Sequence, residues 1–138
     1  MNNTIRISCN KNNLKVVRDF VTDFLVPYGL SAIVLNQIIL AVDEITANLI
    51  IHSNNQDDSK FVKLAIFQHG DTFLFEISDN GKSFNQANYT EPDIKDHIRI
   101  GKKGGVGIAL VKRIMDKVEF ASDGSNNICR LYKKVQTA

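Results

Sequence analysis

Cysteine is scarce in this chain: Cys9 and Cys129 are the two among 138 residues, far apart and without a Cys-x-x-Cys pair. That excludes a disulfide-rich scaffold and a cysteine-based zinc site, and both are read as small core residues. An excess of either charge is also lacking. Lys and Arg total 17 against 15 for Asp and Glu, a balance of +2, which argues against a dedicated nucleic-acid surface. No apolar run approaches the roughly 18 residues of a membrane-crossing helix. The opening Met-Asn-Asn-Thr has no basic segment leading into an apolar one, so no signal peptide is read. These absences predict a cytoplasmic protein with no membrane partner and no direct nucleic-acid contact. The length predicts one domain over residues 1–138, with no repeat and no low-complexity tail.

What is present is a change of period along the chain. Residues 3–9 alternate around Ile5 and Ile7 and read as a first strand. Asn10 or Asn12 offers a cap for a helix whose stripe is Leu14, Val17, Val21, Phe24 and Leu25, stopped by Pro27 and Gly29. Ser31 caps a second helix, predicted to run to about His52, with Leu35, Ile38, Ile39, Val42, Ile45 and Leu49 as its buried stripe. Residues 53–59 read as a polar turn. Two alternating runs, 61–68 and 72–78, flank Gly70-Asp71 as a tight hairpin. Residues 80–105 lose all periodicity, a stretch long enough to suggest a functional lid, in which Tyr89 is free to cover a ligand. A helix over 106–115, a strand around Val118 and Phe120, a turn over 122–127 and a strand over 128–135 complete the chain. Hairpins with inserted helices predict an α+β, two-layer fold: a mainly antiparallel sheet covered on one face by helices. Phe61, Phe67, Phe73 and Phe75 read as core or sheet-face residues, and Met115 as packing.

Three clusters carry chemistry. Glu44, Asn48 and His52 are spaced by four twice, which places them on one helical face. That face is either a solvated one or the lining of a polar cleft. In a cleft, Glu44 would orient or deprotonate a hydroxyl, Asn48 would offer an uncharged hard oxygen to a divalent cation, and His52 would meet phosphate. Asp79 continues the inward parity of Phe73, Phe75 and Ile77, and Gly81 follows it. A carboxylate ending a buried face wants a donor, and an exocyclic amine such as adenine N6 would serve; a plain turn is the alternative. Glycines 101, 104, 105 and 107 lead into a helix, a combination suited to phosphate. Neither the Walker spacing nor a dinucleotide fingerprint is present. Lys102, Lys103 and Arg99 are flexible point charges for phosphate or a solvated basic loop.

Taken in order, these clusters resemble the ATP-binding domain shared by histidine kinases, Hsp90, DNA gyrase B and MutL, and within it the stand-alone anti-sigma factors that are also protein-serine kinases. The Glu-x-x-x-Asn-x-x-x-His helix is Glu44 to His52; the Asp-x-Gly-x-x-Phe adenine motif is Asp79, Gly81 and Phe84; the glycine-rich lid and helix run through Gly104, Gly105, Val106 and Gly107 to Met115, Asp116, Val118 and Glu119. The likeness spans about residues 5–135. It implies a mixed, mostly antiparallel sheet backed by three helices. It implies ATP and Mg2+ as ligands, with Glu44 as general base, Asn48 as magnesium ligand, Asp79 at adenine, and Gly105 with Gly107 at phosphate. The family's Thr before the last strand is replaced here by Gly124-Ser125-Asn126-Asn127, so Ser125 or an Asn stands in for it.

The resemblance implies an ATP-dependent protein-serine/threonine kinase acting as an anti-sigma regulatory factor. It would phosphorylate a small antagonist protein and bind a sigma factor or other regulator, with homodimers common in the branch. A catalytically weak, nucleotide-responsive binding module is the rival from another class. A purely structural domain would leave the glycines and the polar helix face without a role.

Overall fold

A computed structural model describes residues 3–54, 57–79, 103–122 and 127–135, apart from the side chains of 52, 53 and 103–106. Strand β1 (Thr4–Ser8) is followed by helix α1 (Leu14–Leu25) and helix α2 (Ala32–Asn48), which runs on into one π-helical turn, Leu49–Ser53. The hairpin β2 (Phe61–His69) and β3 (Thr72–Asp79), helix α3 (Lys103–Ile114), and strands β4 (Lys117–Ser122) and β5 (Asn127–Lys134) complete it.

The sheet has the order β1-β2-β3-β5-β4 and every pairing is antiparallel. His69 faces Thr72, so Gly70 and Asp71 alone make the hairpin turn, with Gly70 at φ 61°. That left-handed geometry is what glycine tolerates without cost. Parity then sorts the side chains. Val62, Leu64 and Ile66 of β2 meet Phe73, Phe75 and Ile77 of β3 and Cys129 and Leu131 of β5 on the buried face. Phe61 and Phe67 have the opposite parity and lie 37% and 45% exposed on the outer face, where Arg6 stacks on Phe61 at 4.0 Å.

The helices cover the inner face because their apolar stripes leave them no stable alternative. Val17, Val21, Phe24 and Leu25 of α1, Ile38, Ala41, Val42 and Ile45 of α2, and Ile108, Val111 and Ile114 of α3 are buried in one cluster with the sheet. Ser31 Oγ accepts from the Val34 amide and starts α2. Asn10 caps only a short 3-10 turn ahead of α1. Arg18 of α1 and Asp43 of α2 pair at 2.8 Å across the seam. The end of α3 is tied to β5: Lys133 Nζ donates to the Ile114 carbonyl at 2.7 Å. Met115, Cys9 and Cys129 are buried, and burial raises both thiols, Cys9 to about 11 with the Asp79 charge as second cause.

Three expectations change. Helix α3 begins at Lys103, so Lys103 to Gly105 belong to a helix rather than to the aperiodic stretch; the low helix propensity of glycine hid them. The second helix does not stay α-helical to His52, because the π turn takes over at Leu49. Finally, the helical span Ala32–Ile51 has a mean hydropathy of 1.5 and is long and apolar enough to cross a membrane by length and composition. Counting unbroken apolar runs missed it, since Asn36, Gln37, Asp43 and Glu44 interrupt the run. Its inner stripe is buried between α1, α3 and the sheet, which is the place of a core helix.

Candidate functional site

Counting back along β5 from Leu131 and Cys129 by twos reaches Asn127, and counting forward along β3 from Phe75 and Ile77 reaches Asp79. These two residues are direct cross-strand partners. Both are buried, at 1% and 4% exposure. The Asn127 amide donates to Asp79 Oδ1 at 2.8 Å. Asn54 donates from Nδ2 to Asp79 Oδ2 at 2.7 Å and to the Leu49 carbonyl at 2.8 Å. One amide group thus ties the end of the π turn to the end of β3. Each carboxylate oxygen has two acceptor sites, so with the described residues alone each keeps one for a further donor.

Asn54 and Asn127 were not singled out by sequence reasoning. Asn54 stood in a segment read as a polar turn. Asn127 stood at the end of another, within the run where Ser125 or an Asn was left open as the stand-in for threonine. The signal for Asn127 was present in the period-two count along β5. No pattern pointed to Asn54, because its contact spans 25 positions and depends on the π turn.

On α2, Glu44 is half-buried and Asn48 is 6% exposed, so this edge of the helix is not a solvated one. Asn48 Nδ2 is buried and has no hydrogen-bond partner among the described residues, and the same holds for Asn54 Oδ1. The Glu44 carboxyl is raised above its ordinary value, by burial first and by the neighbouring charge of Asp43 second. Gly107, the fifth residue of α3, is buried directly against Glu44. The backbone at His52 lies in the π turn, so the step from Asn48 to His52 is not the α-helical step that would align all three residues.

The structure therefore brings Glu44 together with Gly107, and Asp79 together with Asn54 and Asn127. Lys103, Gly104, Gly105 and Val106 form the start of α3. Its first four amides have no carbonyl within the helix to donate to. Gly81, Phe84, Lys102 and Ser125, together with the lid including Tyr89 and Arg99, lie outside the described residues, as does the side chain of His52. Among the described residues no group of three or more His, Cys, Asp or Glu side chains is placed to hold a metal. A cation here would need donors of another kind. An amide such as that of Asn48, which presents an oxygen when turned over, is one.

Residues 7–133 match the family described as the histidine kinase-like ATPase domain. The serine-protein kinase RsbW of Halalkalibacterium halodurans is 29% identical over 93 residues, 64% of this chain and 56% of that protein, so the chain spans little more than half of this relative's length. Among solved structures, the RsbU and RsbW domains of a Mycobacterium tuberculosis protein superpose with a TM-score of 0.63 at 13% identity, over 96% of this chain and 32% of that one. The histidine kinase domain of the blue-light activated kinase from Erythrobacter litoralis EL346 gives 0.59 at 14% identity, over 98% and 65%. At these identities the two structures speak for the fold.

Proposed function

Since the chain belongs to the histidine kinase-like ATPase domain family, we propose that it is an ATP-dependent protein-serine/threonine kinase of the anti-sigma type, carried by a single domain over residues 1–138. Its substrate would be a serine or threonine hydroxyl on a small antagonist protein. Its second partner would be a sigma factor or another regulator, with a homodimer as the working assembly, in the cytoplasm and without direct nucleic-acid or membrane contact. The resemblance to a serine-protein kinase RsbW supports the reading.

The observation that carries it is the buried amide of Asn48, whose Nδ2 has no hydrogen-bond partner among the described residues, one helical turn from Glu44. A buried polar group left unpaired costs about 1–3 kcal/mol, and a ligand that pairs with it recovers that cost. Asp79 is the adenine partner: its two oxygens, already oriented by Asn54 and Asn127, keep acceptor sites for the exocyclic amine. Gly81, Phe84 and Ser125 join the nucleotide-binding set by their place in the motifs. The first-turn amides of α3, over Lys103, Gly104, Gly105 and Val106, hold the phosphates, aided by the helix dipole and by Lys102. His52 meets phosphate from the α2 side.

Asn48 would hold Mg2+ through its amide oxygen, and the ion supplies charge neutralisation at the phosphates. Glu44 takes the proton of the acceptor hydroxyl as its oxygen bonds to the γ-phosphorus and the bond to the ADP oxygen breaks. Burial makes Glu44 a stronger base than an exposed carboxylate. Catalysis otherwise rests on positioning and charge.

The test is transfer of labelled γ-phosphate to the antagonist-domain protein encoded nearest to the kinase, together with ATP affinity with and without magnesium. Glu44→Gln is expected to cut transfer by about 10²-fold or more with ATP affinity nearly kept. Asn48→Ala is expected to lose both transfer and the magnesium dependence of ATP affinity. Transfer at the wild-type rate in E44Q removes Glu44 from the base role. No transfer by the wild type, with partner affinity still responding to ATP, replaces the kinase by the binding module.

A further inference from the structure

Glycine inside a helix is destabilising relative to alanine, so a buried one asks for a reason. Gly107 is the fifth of twelve residues in α3. A methyl group built there would lie 3.1 Å from Glu44 Cγ and 2.5 Å from its Cδ, and closer still to Oε2. Real Cβ atoms do not approach so near. The space a side chain would need is filled by the Glu44 carboxyl group, reaching across from α2. The obstructing atoms are the far end of a flexible side chain, so a methyl group at 107 would move the carboxylate and not the helices.

We infer that Gly107 is a positioning residue: the hydrogen in place of its side chain leaves a seat on α3 in which the Glu44 carboxylate is held. This differs from a role for Gly107 at phosphate. α2 and α3 pack directly on each other, so the half-buried carboxylate lies between two helices, against the Gly107 backbone. Burial in that seat accords with the raised pKa of Glu44. The catalytic consequence rests on the kinase reading above; the seat itself does not.

Two measurements test the seat without any acceptor protein. In wild-type protein, NMR is expected to show cross-relaxation between the Gly107 α-protons and the Glu44 γ-protons. Gly107→Ala is expected to shift the Glu44 side-chain carboxyl carbon signal, identified by its absence in E44Q. The second measurement is a thermal cycle. In an E44A background the clash is gone, so G107A acts as an ordinary helix substitution and raises the melting temperature by roughly 3 °C. In the Glu44 background that gain is lost or reversed. Equal gains in both backgrounds, or no cross-relaxation, overturn the seat. In the acceptor assay, G107A is expected to lose about 10²-fold in transfer turnover, with a much smaller change in ATP affinity. Full transfer in G107A overturns the positioning role. A wild type that transfers nothing defeats the kinase reading and leaves the seat to be judged by the spectra and the thermal cycle.

Discussion

Two rungs of the same buried sheet face differ in everything except geometry. Ile66, Phe75 and Leu131 form one across β2, β3 and β5; Val62, Asp79 and Asn127 form the other, four residues along β3. All six side chains are buried. The apolar rung is stabilised by removal of surface from water, at about 25 cal/mol per Å². The polar rung gains little, since its hydrogen bonds replace bonds to water, and it depends on every partner being present. A sheet that needed only to fold would be better off with a second apolar rung. Under the proposed function the polar rung has a reason: Asp79 is the group that would meet the nucleotide base.

Breaking the apolar rung should have the largest effect on stability. Phe75→Ala is expected to cost about 3–5 kcal/mol, read by urea unfolding, while ATP affinity of the protein that remains folded changes little. A loss below 1 kcal/mol would mean that the core does not depend on this rung. Asp79→Asn should cost less, about 1–3 kcal/mol, because the new amide cannot accept from both Asn54 and Asn127. Calorimetry should nevertheless show at least tenfold weaker ATP binding. Unchanged affinity in folded D79N would take adenine recognition away from this rung.

The outer face of the same strands offers a milder contrast. Arg130 Nε pairs with Glu76 at 3.0 Å and the Tyr132 hydroxyl donates to Glu119 at 2.8 Å. The Arg130 and Glu76 side chains are about a third exposed, and such pairs contribute at most about 1 kcal/mol. Arg130→Ala should therefore lower stability by that much or less and leave ATP binding alone; a loss as large as that of D79N would erase the distinction between the two faces.

The smallest effect concerns the half-buried acid on α2. The pKa of Glu44 is raised in the folded protein, so the folded state keeps its proton to higher pH than the unfolded chain does. Its favourable share is complete below the unfolded value and is lost as pH rises through the folded one. E44Q should accordingly melt above the wild type at pH 7, with the gap closing as pH falls below the ordinary carboxylate range. A gap that widens on acidification would contradict the raised value.

The contrast between the rungs also separates what patterning reveals from what it does not. Strand parity alone placed Phe73, Phe75, Ile77 and Asp79 on one face, and the buried face confirms that placement. The helical stripes over Val17 to Leu25 and Ile38 to Leu49 were equally legible, because burial of a periodic face is decided by local geometry. The glycines at the start of α3 misled, since low propensity is overridden where the helix packs on α2.

The amino-acid sequence by itself determined the elements, the hairpin at Gly70 and Asp71, the inward parity of Asp79 and the motifs that place the chain in its family. These follow from periods of 2 and 3.6 and from turn chemistry, which act over a few residues. Only the tertiary structure decided that Asn54 and Asn127 hold Asp79 from two directions and that Gly107 makes room for Glu44. Those contacts join residues 25, 48 and 63 positions apart. No local pattern encodes a contact at such separations; it arises when the π turn, the register of β5 and the packing of α3 on α2 bring the groups together.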